Sequence, residues 1–174
     1  MISRTTTTRL GLLLAVAAFA LTGCATSSST TAEDVTASES VSISDGWVKS
    51  ADEGMSAAFG ELTNDSDRDI TVVSATTEAS SMLELHETVE NDSGEMVMRQ
   101  IDGGFVIPAG GSLALEPGGN HIMLMDLTAP LKAGEEVTFV LTFSDESTYE
   151  FTAPVKDYSG ANETYEGDEM DMDH

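Results

Sequence analysis

The sequence predicts an all-β, antiparallel sandwich or barrel. Two observations predict the β architecture. Short runs rich in β-branched and aromatic residues recur at even spacing, and Gly, Pro, Asn and Asp clusters punctuate them, with no apolar pattern of period 3.6 at helical length. Strands are expected at Val41–Val48, Met55–Leu62, Ile70–Thr76, Met82–Val89, Glu95–Ile101, Ser112–Leu115, His121–Leu127, Glu136–Phe143 and Thr148–Val155. The turns between them read Asn64-Asp65-Ser66-Asp67, Asn91-Asp92-Ser93-Gly94, Asp102-Gly103-Gly104, Pro108-Ala109-Gly110-Gly111 and Pro117-Gly118-Gly119-Asn120. The last two strands, joined through Ser144-Asp145-Glu146-Ser147, are expected to form a hairpin that supplies core.

The segments flanking the domain have other compositions. Arg4 and Arg9 precede an apolar stretch, Leu10–Leu21, that is too short to span a bilayer, so residues 1–23 read as a secretory signal. The signal ends at Leu21-Thr22-Gly23-Cys24, which resembles the bacterial lipobox; that rule implies cleavage before Cys24 and lipid on its sulfur. Residues 24–40 are dominated by Ser, Thr and Ala and read as a flexible tether. The folded domain is expected over residues 41–158, and residues 159–174, acidic and without Lys or Arg, as a disordered tail.

Charge and cysteine supply exclude several functions. With 31 acidic against 7 basic residues and a net charge of −24, the chain lacks the basic footprint that nucleic-acid phosphates require. Cys24 is the only cysteine, so once it is lipidated no thiolate remains for a disulfide, an iron–sulfur cluster or a blue-copper centre. No Ser or Asp signature accompanies a histidine, which argues against hydrolytic chemistry and for a protein that is not an enzyme.

Histidine and methionine remain, and their placement is patterned. In Gly118-Gly119-Asn120-His121-Ile122-Met123-Leu124-Met125-Asp126, strand alternation puts His121, Met123 and Met125 on one face and Ile122 and Leu124 on the other. Met82, Glu84 and His86 alternate in the same way with Leu83 and Leu85, as do Met96 and Met98 about Val97. Methionine commonly fills gaps in cores, but here it stands opposite the Leu, Ile and Val face. Thioether is a soft neutral donor that suits Cu(I) and binds Zn(II), Mg(II) or Ca(II) poorly, while imidazole accepts copper in either oxidation state. Two His and two Met without thiolate therefore select Cu(I), with Glu84 and Glu87 as carboxylates able to fix a histidine tautomer. The pair His121 and Met123 cannot close a shell alone, so separate strands must contribute.

From Gly46 to Val155 the sequence resembles the periplasmic copper chaperones of the PCu(A)C family. The resemblance rests on Leu85-His86-Glu87, Gly94–Arg99, Ile107–Gly111, Pro117–Met125 and Leu131-Lys132-Ala133-Gly134, with Trp47 and Phe59–Asn64 fitting more loosely. It implies a cupredoxin-like fold and a Cu(I) shell of His86, Met98, His121 and Met123. Both intervals, His86 to Met98 and Met98 to His121, are about one residue longer than the family pattern, a difference that the intervening loops absorb. Met96 and Met125 are auxiliary candidates, and Met170, Met172 and His174 form a second mixed cluster in the tail. The resemblance further implies a lipoprotein on the outer, extracytoplasmic face of the cytoplasmic membrane, passing copper to another exported copper protein or to a cytochrome c oxidase subunit at the binuclear copper centre. A copper-buffering or resistance lipoprotein without a dedicated acceptor, and a β-sandwich that binds no metal, stay open as alternatives.

Overall fold

The computed structural model describes residues 35–160 together with Thr164 and Tyr165. In chain order the elements are α1 (Ala37–Ser40), β1 (Val41–Lys49), β2 (Ser56–Asn64), β3 (Ile70–Thr77), β4 (Leu83–Glu90), β5 (Met96–Gln100), β6 (Phe105–Ile107), β7 (Ser112–Leu115), β8 (His121–Leu124), β9 (Glu136–Phe143), β10 (Thr148–Lys156) and β11 (Thr164–Tyr165). All nine expected strands are present, most within one or two residues of the expected bounds. Among the described residues no helix is long and apolar enough to cross a membrane.

The strands follow one hydrogen-bonded path, β11-β5-β4-β8-β2-β1-β10-β9-β3-β6, with β7 pairing the remaining length of β2. Two layers are joined where β1 runs parallel to β10, with Val48 beside Val155. That pair and the parallel β11–β5 pair make the sheet mixed rather than wholly antiparallel. The main core lies between the layers and contains Leu62, Val72, Leu85, Ile122, Leu124, Phe139, Leu141 and Phe143. The β9–β10 hairpin supplies it as expected: its burial alternates along both strands, and Phe139 stacks on Phe151 at 5.1 Å between ring centroids. Burying each such side chain contributes about 1.5–3 kcal/mol relative to leaving it in water.

Three features depart from the sequence expectation. Ordered structure begins before Val41, because Ala37 is buried, its amide donates to Asp145 Oδ2 at 2.7 Å, and the Ser38 amide donates to Ser147 Oγ at 3.1 Å. Strand β6 is only three residues long and was hidden by the glycines before it and the proline after it. It pairs with β3 and follows Gly104, which has φ of 87° and lies so close to the Val72 carbonyl that an added Cβ would sit 2.0 Å from its oxygen. In the segment expected to be a structureless tail, Thr164 and Tyr165 pair with Val97 and Met98 along the outer edge of β5. The remaining expectations for residues 1–34, and for residues 161–163 and 166–174, lie outside the described residues; these include Cys24, Met170, Met172 and His174.

A β-bulge in β1 decides which wall of the sandwich Trp47 joins. Val41 and Ile43 turn toward the core, but the register shifts between Ser44 and Trp47, with Asp45 at φ of 52°. The extra residue inverts the alternation, so Val48 is buried in the core and Trp47 turns to the outer face, where it packs against Phe59.

Asn64 stitches two loops to the end of β2. It is fully buried, donates through Nδ2 to the carbonyls of Arg68, Ile107 and Pro108, and accepts at Oδ1 from the amide and hydroxyl of Ser66. Asn64→Ala strands buried carbonyls, so a loss of about 2–4 kcal/mol is expected in urea denaturation. A loss below about 1 kcal/mol would show that water replaces the amide.

Asp145 anchors α1 and carries a pH dependence. The Ser147 hydroxyl first, then the Ala37 amide, hold its carboxyl below the ordinary aspartate value. A lowered folded-state pKa stabilises at neutral pH, and that contribution disappears as the pH falls below about 4. The Ala37 amide should therefore lose hydrogen-exchange protection on acidification, and Asp145→Asn should lower it already at pH 7. Protection that is equal in both proteins at both pH values would contradict this anchoring role.

Candidate functional site

The outer face of the layer containing β5, β4, β8, β2 and β1 carries the candidate residues, and strand register brings them together. Pairing of β4 with β8 sets His86 directly opposite His121 and Glu84 opposite Met123. Pairing of β4 with β5 sets Met98 opposite Thr88, two residues along the same face from His86. Side chains two apart on a strand share a face, so the four residues form one patch across three adjacent strands. Beneath it, Leu83, Leu85, Ile122 and Leu124 turn into the main core and fix that phase.

The patch is buried against its own small apolar cluster. Ala57, Phe59, Met98 and Met123 form it, with Trp47 and Met125 packed alongside. Trp47 lies 4.6 Å from Phe59 and 5.2 Å from Tyr158 between ring centroids, and Phe59 lies 6.1 Å from His121. The two imidazoles meet edge to face at 5.5 Å, with His86 fully buried and His121 nearly so. A cleft of about 220 Å³ opens onto Met98, His121 and Met123 and is walled by Phe59, Met55 and Pro117.

Hydrogen bonds orient both rings. His86 Nε2 lies 2.7 Å from Glu84 Oε2, and His121 Nδ1 lies 3.0 Å from the Gly119 carbonyl. Carboxylate and carbonyl oxygens only accept here, so the protonated nitrogens of the neutral rings are His86 Nε2 and His121 Nδ1. The lone pairs then belong to His86 Nδ1 and His121 Nε2, both buried in the face. The Gly119 carbonyl is itself placed by a tight turn: Gly119 donates to Glu116, Thr88 donates to Gly119, and Gly118 has φ of 78°.

The structure separates the candidates that spacing left together. Met98 is buried beside Met123, whereas Met96, opposite Glu90 at the far end of β5, is 48 % exposed. Met125 follows the last residue of β8 and packs half-buried against the cluster. The two carboxylates also diverge. Glu84 engages His86, while Glu87 pairs with Arg99 at 2.9 Å, because adjacent strand positions face opposite ways. Met55 is a wall residue that the sequence reading placed in a strand but not among the donors; its alternation with Ala57 and Phe59 was the available signal.

This combination defines a cupredoxin-like β-sandwich with a His and Met face on its outer wall. The chain belongs to the family described as "Putative lipoprotein LpqE-like", which matches residues 41–155. It is 48% identical over 166 residues to "Putative lipoprotein Lxx21020" of Leifsonia xyli subsp. xyli, covering 94% of this chain and 99% of that protein. Among solved structures it shares its fold with the copper-bound PCuAC domain from PmoF2, at a TM-score of 0.57 and 16% identity over 68% of this chain and 94% of that one. CuI-DR1885 from Deinococcus radiodurans superposes with a TM-score of 0.53 at 32% identity, covering 70% of this chain and 83% of that one.

Proposed function

We propose that the protein is a lipid-anchored carrier of Cu(I), with His86, Met98, His121 and Met123 as its ligands and Cys24 as its anchor. One observation carries the reading: two imidazoles face each other in register, with two thioethers on the same face and no thiol among them. Such a donor set is soft and neutral, and it resists oxidation better than thiolate in an exported protein. The copper-bound PCuAC domain and CuI-DR1885, whose folds this chain shares, support the cargo.

The geometry suits transport rather than catalysis. His86 sits at the floor, positioned by Glu84, while Met98, His121 and Met123 reach the cleft, so an incoming ligand meets three of the four donors from the open side. Release by stepwise exchange needs no redox change and no proton from a thioether. The acceptor in this reading is another exported copper protein or a cytochrome c oxidase subunit, at its binuclear copper centre, on the outer side of the cytoplasmic membrane.

X-ray absorption on the Cu(I)-loaded protein should show a mixed nitrogen and sulfur shell. The double variant His121→Ala, Met123→Ala should lose more affinity than the about 10–100-fold typical of removing an outer hydrogen-bond partner. An unchanged affinity in a competition assay would end the assignment. Glu84→Gln, which keeps the size but weakens the hold on His86, should cost about 10–100-fold in affinity. Glu87→Gln, on the opposite face, is the control, and equal effects from the two would count against the Glu84 role.

A further inference from the structure

Beyond the four proposed ligands the same face carries Met55, Met82, Met96 and Met125, and all but Met96 lie together at one end of it. Leu83 opposite Leu124 and Glu84 opposite Met123 put Met82 opposite Met125, whose amide donates to the Met82 carbonyl at 2.9 Å. On the other flank, Ser56 lies opposite Leu124 and the Leu127 amide donates to the Gly54 carbonyl at 3.0 Å, so Met55 lies beside the chain at Met125 and Asp126. Met82, Met125 and Met55 thus form a transverse row just past the ends of β4, β8 and β2, beyond Glu84, Met123 and Ala57. Neighbouring strands lie about 4.8 Å apart, within the reach of flexible methionine side chains.

Packing does not account for Met55 and Met82. Met82 is 49 % exposed and Met55 40 %, while Met125 rests half-buried on the Met98 and Met123 cluster. Among the described residues seven large apolar side chains are exposed, and the three methionines of that group, Met55, Met82 and Met96, all belong to this layer's outer face. Met55 also walls the cleft that reaches His121 and Met123. An exposed gap-filler fills no gap; three thioethers at neighbouring-strand spacing offer what a three-coordinate Cu(I) shell requires.

We propose that Met55, Met82 and Met125 form a second, thioether-only Cu(I) site at the mouth of the cleft, which exchanges the ion with the His and Met site. The proposal rests on the carrier reading above. In the exchange step, Cu(I)–thioether bonds form at the row as the bonds to imidazole and thioether within break; copper stays Cu(I), and no proton or electron moves.

The test is a titration of the mature protein, labelled with ¹³C at the methionine methyls, with Cu(I) in the absence of oxygen. The first equivalent should shift the methyls of Met98 and Met123, and the second those of Met55, Met82 and Met125. The triple variant Met55→Leu, Met82→Leu, Met125→Leu, close in volume to the natural side chains, should bind only the first equivalent and release it severalfold more slowly to a competing chelator. A wild-type protein whose second equivalent leaves the three row methyls unmoved overturns the second site, as does a triple variant that keeps both equivalents. A first equivalent that leaves Met98 and Met123 unmoved instead overturns the carrier reading, and the exchange step with it.

Discussion

Everything on the outer face depends on the antiparallel pairing of β4 with β8. That pairing sets His86 opposite His121, and strand alternation then places Glu84, Thr88, Met123 and Met125. A slip of β8 by one residue would turn His121 into the core and Ile122 and Leu124 out to water. The leucines and isoleucine that hold the register are each worth about 1.5–3 kcal/mol of burial, and together they outweigh the polar contacts of the site. Stability and donor geometry are therefore set by the same strand phase, read from its two sides.

The donors come from the β4–β5 hairpin and from β8, after two intervening strands, so the patch exists only once β8 has docked on β4. An ion held as proposed would bridge β5, β4 and β8 and, by mass action, stabilise the folded chain by about 2.7 kcal/mol at a free concentration one hundred times the dissociation constant. The edge of β5, where Met98 sits, does not lie open: Thr164 and Tyr165 occupy it in parallel register. On the opposite flank Lys49 donates to the Gly160 carbonyl at 2.7 Å, and Tyr158 packs on Trp47, so the chain after β10 runs alongside the aromatic wall.

Much of the architecture was legible because alternation and turn chemistry are local. Nine strands and the core-forming hairpin followed from period-two patterns between Gly, Pro and Asn clusters. Strand β6, at Phe105–Ile107, was too short to show a period, and α1 was hidden in a Ser- and Thr-rich stretch whose order depends on Asp145 and Ser147, over a hundred residues away. The parallel pairs were equally invisible, since strand direction is a property of the whole sheet. For the site, the donor types and the faces of individual strands were readable, but which strands lie side by side was not. Met98 is distinguished from Met96 by its partner, Thr88 rather than Glu90, and Glu84 from Glu87 by which face each takes.

The bulge at Asp45 gives β1 a reading frame. Ahead of it the odd-numbered residues Val41 and Ile43 supply core, and behind it the even-numbered Val48 does, so one strand serves two walls in succession. Substitutions along β1 alter single contacts, but deletion of one residue between Ser44 and Trp47 would act as a frameshift in space. It would drive the indole inward and the valine outward, without changing the chemistry of any other position. Such a strand tolerates changes of residue far more readily than changes of length, whereas the turn at Asn91–Gly94, where a Cβ on Gly94 would meet nothing, has room to lengthen.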